Sequence, residues 1–134
     1  MHVAGLSTLP SPHGPRETMD RLEAAIKAKG MGVFARVDHA AGAAAVNLAL
    51  APTELLLFGS AKVGTALMQA AQTAGIDLPL KALVWQDAQG QTWLSWNEPD
   101  WVAQRHGLGG EAQATVAAMG AGLVALARQA CAAA

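Results

Sequence analysis

Residues 52–65 read PTELLLFGSAKVGT, and this stretch decides the fold that the sequence predicts. Four consecutive large apolar residues, 55–58, lie between Pro52 and Gly59, which is typical of a strand that is buried on both faces and central in a sheet. The glycines predict a tight turn, and Thr65 is a candidate N-cap for the helix that follows. A buried strand that leads into a helix indicates a domain in which helices pack on a sheet.

Helical and strand-like patterns continue on both sides of this stretch. Met19, Leu22 and Ile26, for example, recur at helical spacing between Pro15 and Gly30. The predicted elements are a strand at 3–8, a helix at 15–29, a strand at 33–37, a helix at 39–46, a strand at 55–58, a helix at 65–74, strands at 81–86 and 91–96, a helix at 99–106 and a terminal helix at 116–130.

The strands at 81–86 and 91–96 are separated by a four-residue loop, which predicts a β-hairpin. Pairing Gln86 with Gln91 places Val84 opposite Trp93 on one face. The four tryptophans of the chain, at positions 85, 93, 96 and 101, cluster around this hairpin. Core and hairpin packing is one interpretation of the cluster, and an apolar wall for a ligand or a dimer contact is the other.

The predicted order is β-α-β-α-β-α-β-β-α-α, in a single α/β domain that borders on the α+β class. A hairpin is antiparallel, whereas strands joined through helices tend to be parallel, so we expect a mixed sheet of about five strands with helices packed against it. Two glycines at 109 and 110 are the candidate linker. They divide the main domain, residues 1–108, from an alanine-rich C-terminal helix, residues 109–134, which packs on the domain or on a partner.

The composition argues against several classes of function. The chain has 134 residues, of which 52% are hydrophobic and 14% charged, so it can form a core without disulfides or metal. Nine basic residues balance ten acidic ones, and this near-neutral charge argues against binding of nucleic acid. The lone Cys131 cannot form an internal disulfide, so we expect a cytoplasmic location.

No segment predicts secretion or membrane insertion. Residues 1–18 lack the basic start and apolar run of a secretory signal. The apolar stretch at 116–127 is interrupted by two glycines and is shorter than the roughly 20 residues that a spanning helix needs. We therefore expect no membrane partner.

The turn after the central strand is the strongest candidate for a binding site, and its candidate residues are Gly59, Ser60, Lys62, Gly64 and Thr65. Ligands of open sheets bind beyond the carboxyl ends of strands, and free N–H groups at a helix start favour an anion. Lys62 adds a positive charge to these groups. The spacing is not that of a P-loop, because the lysine precedes the second glycine. The alternative is a tight turn that binds nothing.

Asp38 and His39 form a second candidate at the end of the strand predicted at 33–37. A neighbouring carboxylate orients an imidazole ring for acid–base chemistry. We expect this pair to share one cavity with the turn at 59–65, so that His39 lies beside the bound anion. The alternative is a surface cap, in which Asp38 begins the next helix and His39 is exposed.

The remaining reactive side chains match no familiar motif. His2 and His13 lie near the N-terminus, and His106 is suited to the C-terminus of a helix. The histidines lack the close spacing of metal ligands, so we expect neither a metal nor another cofactor. Cys131 has no histidine close to it in sequence, and Ser60 is not in a Gly-x-Ser-x-Gly setting.

Six short segments occur in the order of the motifs of a known family. They are ETMDRL at 17–22, RVDHA at 36–40, FGSAKVGT at 58–65, IDLPLK at 76–81, WNEP at 96–99 and RHGL at 105–108. With these segments, residues 11–108 resemble the bacterial and archaeal domain of unknown function 302 family. The resemblance implies a compact α/β domain with a mixed sheet, often a homodimer, and it implies no established activity.

The chain departs from the family pattern in the candidate turn. Ser60 and Ala61 stand where the family usually has Asn-Pro, and Ala66 stands where it often has proline. Serine is shorter than asparagine, and a turn without proline is less rigid. The helix from Glu111 onward lies outside the resemblance.

The sequence therefore favours a cytoplasmic domain that binds a small anionic ligand at the turn 59–65. Two other functions stay open. A homodimeric interaction module is favoured by the low charged fraction, the tryptophan-bearing hairpin and the apolar stripe on the last helix. An enzyme that uses His39 as a general base is the third possibility, although no partner for this histidine is identified.

Overall fold

The computed structural model describes residues 2–133 and has the predicted order of elements. The strands are β1 (Leu6–Ser11), β2 (Gly32–Asp38), β3 (Thr53–Gly59), β4 (Leu80–Gln86) and β5 (Thr92–Asn97). The α-helices are α1 (Pro15–Ala28), α2 (His39–Ala45), α3 (Ala61–Ala70), α4 (Pro99–Arg105) and α5 (Gln113–Ala130). Short 3-10 helices cover Gln72–Asp77 and Gly110–Ala112.

The five strands form one sheet in the order β1-β5-β4-β3-β2, and every neighbouring pair is antiparallel. The single α/β domain and its five strands are confirmed, but the expectation of a mixed sheet is wrong. The physical reason is that α2 and α3 each connect two strands that lie side by side, so these helices return the chain instead of carrying it over the sheet. Only α1 crosses the sheet, and it joins edge strands that do not pair.

The core lies between one face of the sheet and the helices α1 and α5. Leu56 and Phe58 of β3 are fully buried there, beside Met19 and Leu22 of α1 and Leu126 of α5. Burial of each such side chain contributes about 1.5–3 kcal/mol of hydrophobic free energy. β3 therefore holds the interior position that its apolar run predicts.

The opposite face of the sheet, here called the outer face, is apolar but lies outside the core. Leu55, Leu57, Leu83, Trp85 and Trp93 point to this face and are half-buried, and they belong to neither hydrophobic cluster of the structure. The rings of Trp85 and Trp93 stack across the strands with centroids 6.1 Å apart. The prediction that β3 is buried on both faces is wrong, because core helices cover only one.

The hairpin between β4 and β5 closes one residue away from the predicted position. The Asp87 N–H donates to the Gln91 carbonyl, and the Asp87 carboxylate accepts from the Gln91 N–H at 2.9 Å. Trp85 therefore pairs with Trp93, and the predicted pairing of Val84 with Trp93 is wrong. A shift of one residue exchanges the faces of a strand, which places both tryptophans on the outer face and Val84 in the core.

Helix α5 belongs to the core of the domain. Of the two placements expected for residues 109–134, the structure shows packing on the domain, with Leu123, Leu126 and Ala130 buried. Within residues 2–133, one helical segment, Gly110–Ala130, is long and apolar enough to cross a membrane by length and composition. Its buried stripe packs on α1 and the sheet.

Arg36 joins β2 to two other elements by ion pairs. Its guanidinium group lies 2.7 Å from the carboxylate of Glu54, 2.8 Å from that of Asp20 and 3.3 Å from that of Glu23. The hydrogen bond with Glu54 is the main cause of a raised pKa of Arg36. The network links α1 to β2 and β3 at the end of the sheet where β3 begins.

Substitution of Leu56 by alanine should lower the free energy of unfolding by about 2–5 kcal/mol, because the residue is fully buried and its removal leaves a cavity. The control is Ile76→Ala, at an apolar residue that is 72% exposed, where a change within about 0.5 kcal/mol is expected. Urea unfolding followed by tryptophan fluorescence measures both values. Equal losses in the two variants would contradict this account of the core.

Candidate functional site

A cleft of about 670 Å³ opens between α3 and α5, at the end of the sheet where β3 ends. From β3 and α3 it is lined by Gly59, Ser60, Val63, Gly64 and Met68. From α5 it is lined by Thr115, Met119, Gly122, Leu123 and Leu126. Its volume lies within the range of about 300–1,000 Å³ that is typical of small-molecule sites.

The predicted turn is the first turn of α3. Gly59 ends β3 with a φ of 151°, which suits glycine. The Ser60 hydroxyl then accepts a hydrogen bond from the Val63 N–H at 3.4 Å and caps the helix. The prediction that Thr65 is the N-cap is wrong, because Ser60 takes that role and leaves Thr65 inside the helix.

Four of the five candidate residues in this segment line the cleft, namely Gly59, Ser60, Gly64 and Thr65. The fifth, Lys62, is exposed and is not part of the lining. Successive helical residues point in directions about 100° apart, so neighbours in one turn cannot all face the same cleft. The segment therefore contributes backbone and small side chains to the cleft, and its cation stays outside.

Asp38 and His39 lie at the opposite end of the sheet from the cleft. Gly32 pairs with Gly59, and Asp38 is six residues further along β2, a separation of about 20 Å. The expectation of one shared cavity is wrong, because antiparallel strands send these two chain ends in opposite directions. The Asp38 carboxylate accepts from the Ala41 N–H at 2.9 Å and caps α2, while His39 is exposed.

The lining of the cleft is chemically simple. Among the described residues that form it, none carries a charge. Three methionines supply flexible, polarizable side chains that adapt to ligands of irregular shape, and they are Met31, Met68 and Met119. The polar side-chain groups of this described lining are all hydroxyls, and they come from Ser60, Thr65 and Thr115. This lining favours a neutral, mainly apolar molecule.

Phe34 stands at the rim of the cleft. The pairing of β2 with β3 shifts between Val33 and Ala35, so Phe34 is the extra residue of a β-bulge. Its side chain lines the cleft and is nevertheless 60% exposed. A large apolar ring in this position is available to cover a ligand.

Sequence reasoning missed the α5 side of the cleft. Thr115 and Met119 lie about 50 residues from the turn that they face, and helical spacing does not tell which element a helix will meet. One signal was present in the sequence. Gly120 and Gly122 interrupt an alanine-rich helix, where each glycine costs about 1 kcal/mol relative to alanine.

A polar cluster that spacing did not predict joins the 3-10 helix Gln72–Asp77 to the end of α4. The Asp77 carboxylate lies 2.5 Å from Nε2 of His106 and within 3.0 Å of Nη1 of Arg105. The other ring nitrogen of His106, Nδ1, lies 2.9 Å from the Thr73 hydroxyl. His106 does end α4, as predicted, but its side chain is also the centre of this cluster.

The charges of the cluster hold Asp77 in its ionised form. Burial of the carboxyl acts to raise its pKa, but the hydrogen bond from His106 and the charge of Arg105 outweigh this effect, and the pKa of Asp77 is lowered. The carboxylate is mostly shielded, with 15% of the side chain exposed. Within residues 2–133, no group of three histidine, cysteine or acidic side chains is arranged to hold a metal ion.

The lowered pKa of Asp77 predicts a loss of stability in acid. Its stabilisation is present above the pKa of the unfolded chain and is lost as the pH falls through the lower pKa of the folded state. Between about pH 6 and pH 3, the free energy of unfolding should therefore fall more steeply in the wild type than in Asp77→Asn. Urea titrations across this range test the difference, and parallel pH profiles would contradict it.

Comparison with curated proteins identifies relatives that this chain matches over only part of their length. The chain is 49% identical over 116 residues to a Brucella suis biovar 1 (strain 1330) protein named Fluoride-specific ion channel FluC 1. It is equally identical to a protein of the same name from Brucella abortus biovar 1 (strain 9-941). These matches cover 87% of this chain but only 46% and 43% of the relatives, so the chain spans less than half of their length.

A solved structure and a family model agree on the domain. The crystal structure of an uncharacterized conserved protein from Bacillus stearothermophilus has the same fold, with a TM-score of 0.84 over 96% of this chain and 99% of that chain, at 21% identity. The model of DUF302, a domain of unknown function, matches residues 7–126, so the matched region extends past the expected limit at residue 108 into α5. On this match the chain belongs to the DUF302 family.

Proposed function

We propose that this chain binds a small, mainly apolar molecule in the cleft between α3 and α5. The observation that carries the proposal is a cleft of about 670 Å³ whose described lining is uncharged. Displacement of water from such a surface is favourable, because apolar area removed from water contributes about 25 cal/mol per Å². The three methionines allow the walls to adjust to the molecule that enters.

The backbone of α5 supports this proposal. A Cβ atom built on Gly122 would have no atom within 4 Å, although this residue lines the cleft. No packing contact therefore requires glycine there, and glycine weakens the middle of a helix by about 1 kcal/mol relative to alanine. Glycine at this position leaves open space in the cleft.

The sequence-based expectation of an anionic ligand is retained for one end of the molecule only. Lys62 is exposed on the helical turn that also supplies Ser60 and Val63 to the cleft. We propose that an apolar body enters the cleft and that an anionic end group, where the ligand has one, stays in solvent near Lys62. Solvent screening keeps the contribution of such an exposed charge small.

Two fluorescent probes with similar aromatic ring systems separate the contribution of the apolar cleft from that of the Lys62 charge. N-phenyl-1-naphthylamine is neutral, whereas 1-anilinonaphthalene-8-sulfonate carries an anion. Gly122→Leu should weaken both probes at least about tenfold, equivalent to about 1.4 kcal/mol, because the leucine side chain fills the cleft. Gly120→Leu is the matched control, since Gly120 lies on the same helix with open space around it but outside this cleft.

Fluorescence titration of the folded variants gives the affinities. Lys62→Ala should weaken only the sulfonate, by about two- to threefold, because the charge is exposed. Equal affinities of Gly122→Leu, Gly120→Leu and the wild type for the neutral probe would refute binding in this cleft. If Gly122→Leu weakens binding, Gly120→Leu does not, and Lys62→Ala has no effect on the sulfonate, only the role of the cation is refuted.

A homodimer is the second candidate, and the outer face of the sheet favours it. The half-buried side chains Leu55, Leu57, Leu83, Trp85 and Trp93 form an apolar surface there. Isologous dimers bring the same patch of two copies together, so a patch of this kind must not repel itself. Among the described strand residues that point to this face, Lys81 is the only charged one, and its Nζ donates to the Pro79 carbonyl at 3.1 Å.

The connection between β2 and β3 also favours a partner. Helix α2 has no buried residue, and its alanines bury little apolar surface. The segment that follows exposes Val46, Leu48 and Leu50, each by half or more. A second copy that covers these side chains would stabilise a seven-residue helix that is too short to be stable alone.

Introduction of a charge on the outer face should separate the copies. Leu55→Glu buries a carboxylate in each half of the proposed contact, and Ala125→Glu adds the same charge to the exposed side of α5 as the control. Light scattering coupled to size exclusion should give a dimer for wild type and Ala125→Glu and a monomer for Leu55→Glu. A monomeric wild type at high concentration, or a dimeric Leu55→Glu, would contradict this interface.

The names of the Brucella relatives raise the question of fluoride transport. Fluoride conduction is attributed to those whole proteins, of which this chain corresponds to less than half. We do not extend conduction to this chain, since the one membrane-length helix found among residues 2–133 supplies core residues. The cytoplasm remains the proposed location of the domain, with itself and a small molecule as the proposed partners.

A further inference from the structure

We propose that Thr73, His106 and Asp77 form an acyl-transfer site that takes small carboxylic esters from solvent. Their side chains form one series of hydrogen bonds in the order hydroxyl, imidazole, carboxylate. This is the arrangement of a nucleophile, a general base and a group that orients the base. All three residues lie outside the lining of the cleft, so the site is independent of the binding function proposed above.

The distances within the cluster suit proton transfer. Oγ1 of Thr73 lies 2.9 Å from Nδ1 of His106, and Nε2 of His106 lies 2.5 Å from Oδ2 of Asp77. The imidazole ring is sheltered, with 7% of the side chain exposed, whereas Thr73 is exposed. The base is therefore held in place while the nucleophile remains accessible to a substrate.

Arg105 supports the carboxylate that contacts the imidazole. Its Nη1 lies 3.0 Å from Oδ1 and 2.9 Å from Oδ2 of Asp77, and together with the hydrogen bond from His106 its charge lowers the pKa of this carboxyl. An ionised carboxylate only accepts hydrogen bonds, so Nε2 of a neutral His106 ring carries the proton. The lone pair of Nδ1 then faces the hydroxyl of Thr73, as a general base requires.

The reaction divides into two balanced steps. In the first, Oγ1 of Thr73 attacks the ester carbonyl carbon, its proton moves to Nδ1 of His106, and the carbon–oxygen bond to the leaving group breaks. The leaving oxygen takes the proton from Nδ1, which leaves an acyl ester on Thr73. In the second, water attacks this ester, gives its proton to Nδ1, and Thr73 regains a proton as the carboxylic acid departs.

The surroundings of Thr73 define the class of substrate. The residue stands on an open surface, where water competes for the charge that develops on the carbonyl oxygen. Esters with a good leaving group need less stabilisation of that charge than amides, so activated esters are the expected class. Asp77 acts as a positioning residue, because it contacts the base and not the substrate.

The test uses p-nitrophenyl acetate with the full-length protein. Release of p-nitrophenolate and residue-resolved mass spectrometry of the acetylated protein are both recorded. Thr73→Val should abolish the release that depends on this site and the acetyl group at this residue, and Thr73→Ser should retain them. Because Thr73 is exposed, neither substitution removes a core contact.

Substitution of the base separates catalysis from chance acetylation. His106→Gln should slow acetylation of Thr73 at least about 100-fold, since a general base contributes roughly 10² to 10⁴ in rate. His39→Gln should have no effect, because His39 lies on the exposed surface of α2. Asp77→Asn should slow the reaction, and Asp77→Glu should restore part of the rate if orientation of the imidazole is its role.

The proposal is overturned if Thr73 carries no acetyl group after reaction, or if p-nitrophenolate release is the same in Thr73→Val as in wild type. An unchanged rate of Thr73 acetylation in folded His106→Gln, with circular dichroism as the check of folding, also overturns it.

Discussion

Burial of one face of the antiparallel sheet beneath α1 and α5 is the interaction on which the other features depend. Leu56 and Phe58 supply the centre of that face, and Leu126 packs over them from the last helix. Because α5 closes the core, it must lie beside the end of β3, where α3 begins. The space that remains between these two helices is the cleft, so the candidate binding site follows from how the core is covered.

The same constraint leaves two apolar surfaces of different shape. The cleft is concave and has a bulge residue, Phe34, at its rim, which suits a small molecule. The outer face is an extended sheet surface with the stacked pair Trp85 and Trp93, which suits another protein surface. The two proposed functions therefore use separate parts of the domain, and one does not exclude the other.

Local patterns predicted the elements well, and the position of the binding segment in part. The apolar run at 55–58 and the glycines after it correctly placed a strand, a turn and a helix, because these preferences act over a few residues. Four of the five residues expected in that segment do line the cleft. Their partners on α5 could not be predicted, since a helical stripe does not identify the element on which it packs.

The prediction that Asp38 and His39 share a cavity with the turn at 59–65 failed because of the sheet topology. Strand direction depends on whether the helix between two strands crosses the sheet or returns beside it, and both connections have similar local sequences. The cluster of Thr73, Asp77 and His106 also had no sequence signature, because its members are separated by as many as 33 residues.

Composition and periodicity by themselves determined a single α/β domain, its order of elements and a glycine-rich start to α3, all of which depend on interactions between near neighbours in the chain. Tertiary structure alone decided that every strand is antiparallel, that α5 faces α3, and that Asp77 meets His106. These outcomes depend on which distant surfaces bury one another, and that choice is made by the packing of the whole chain.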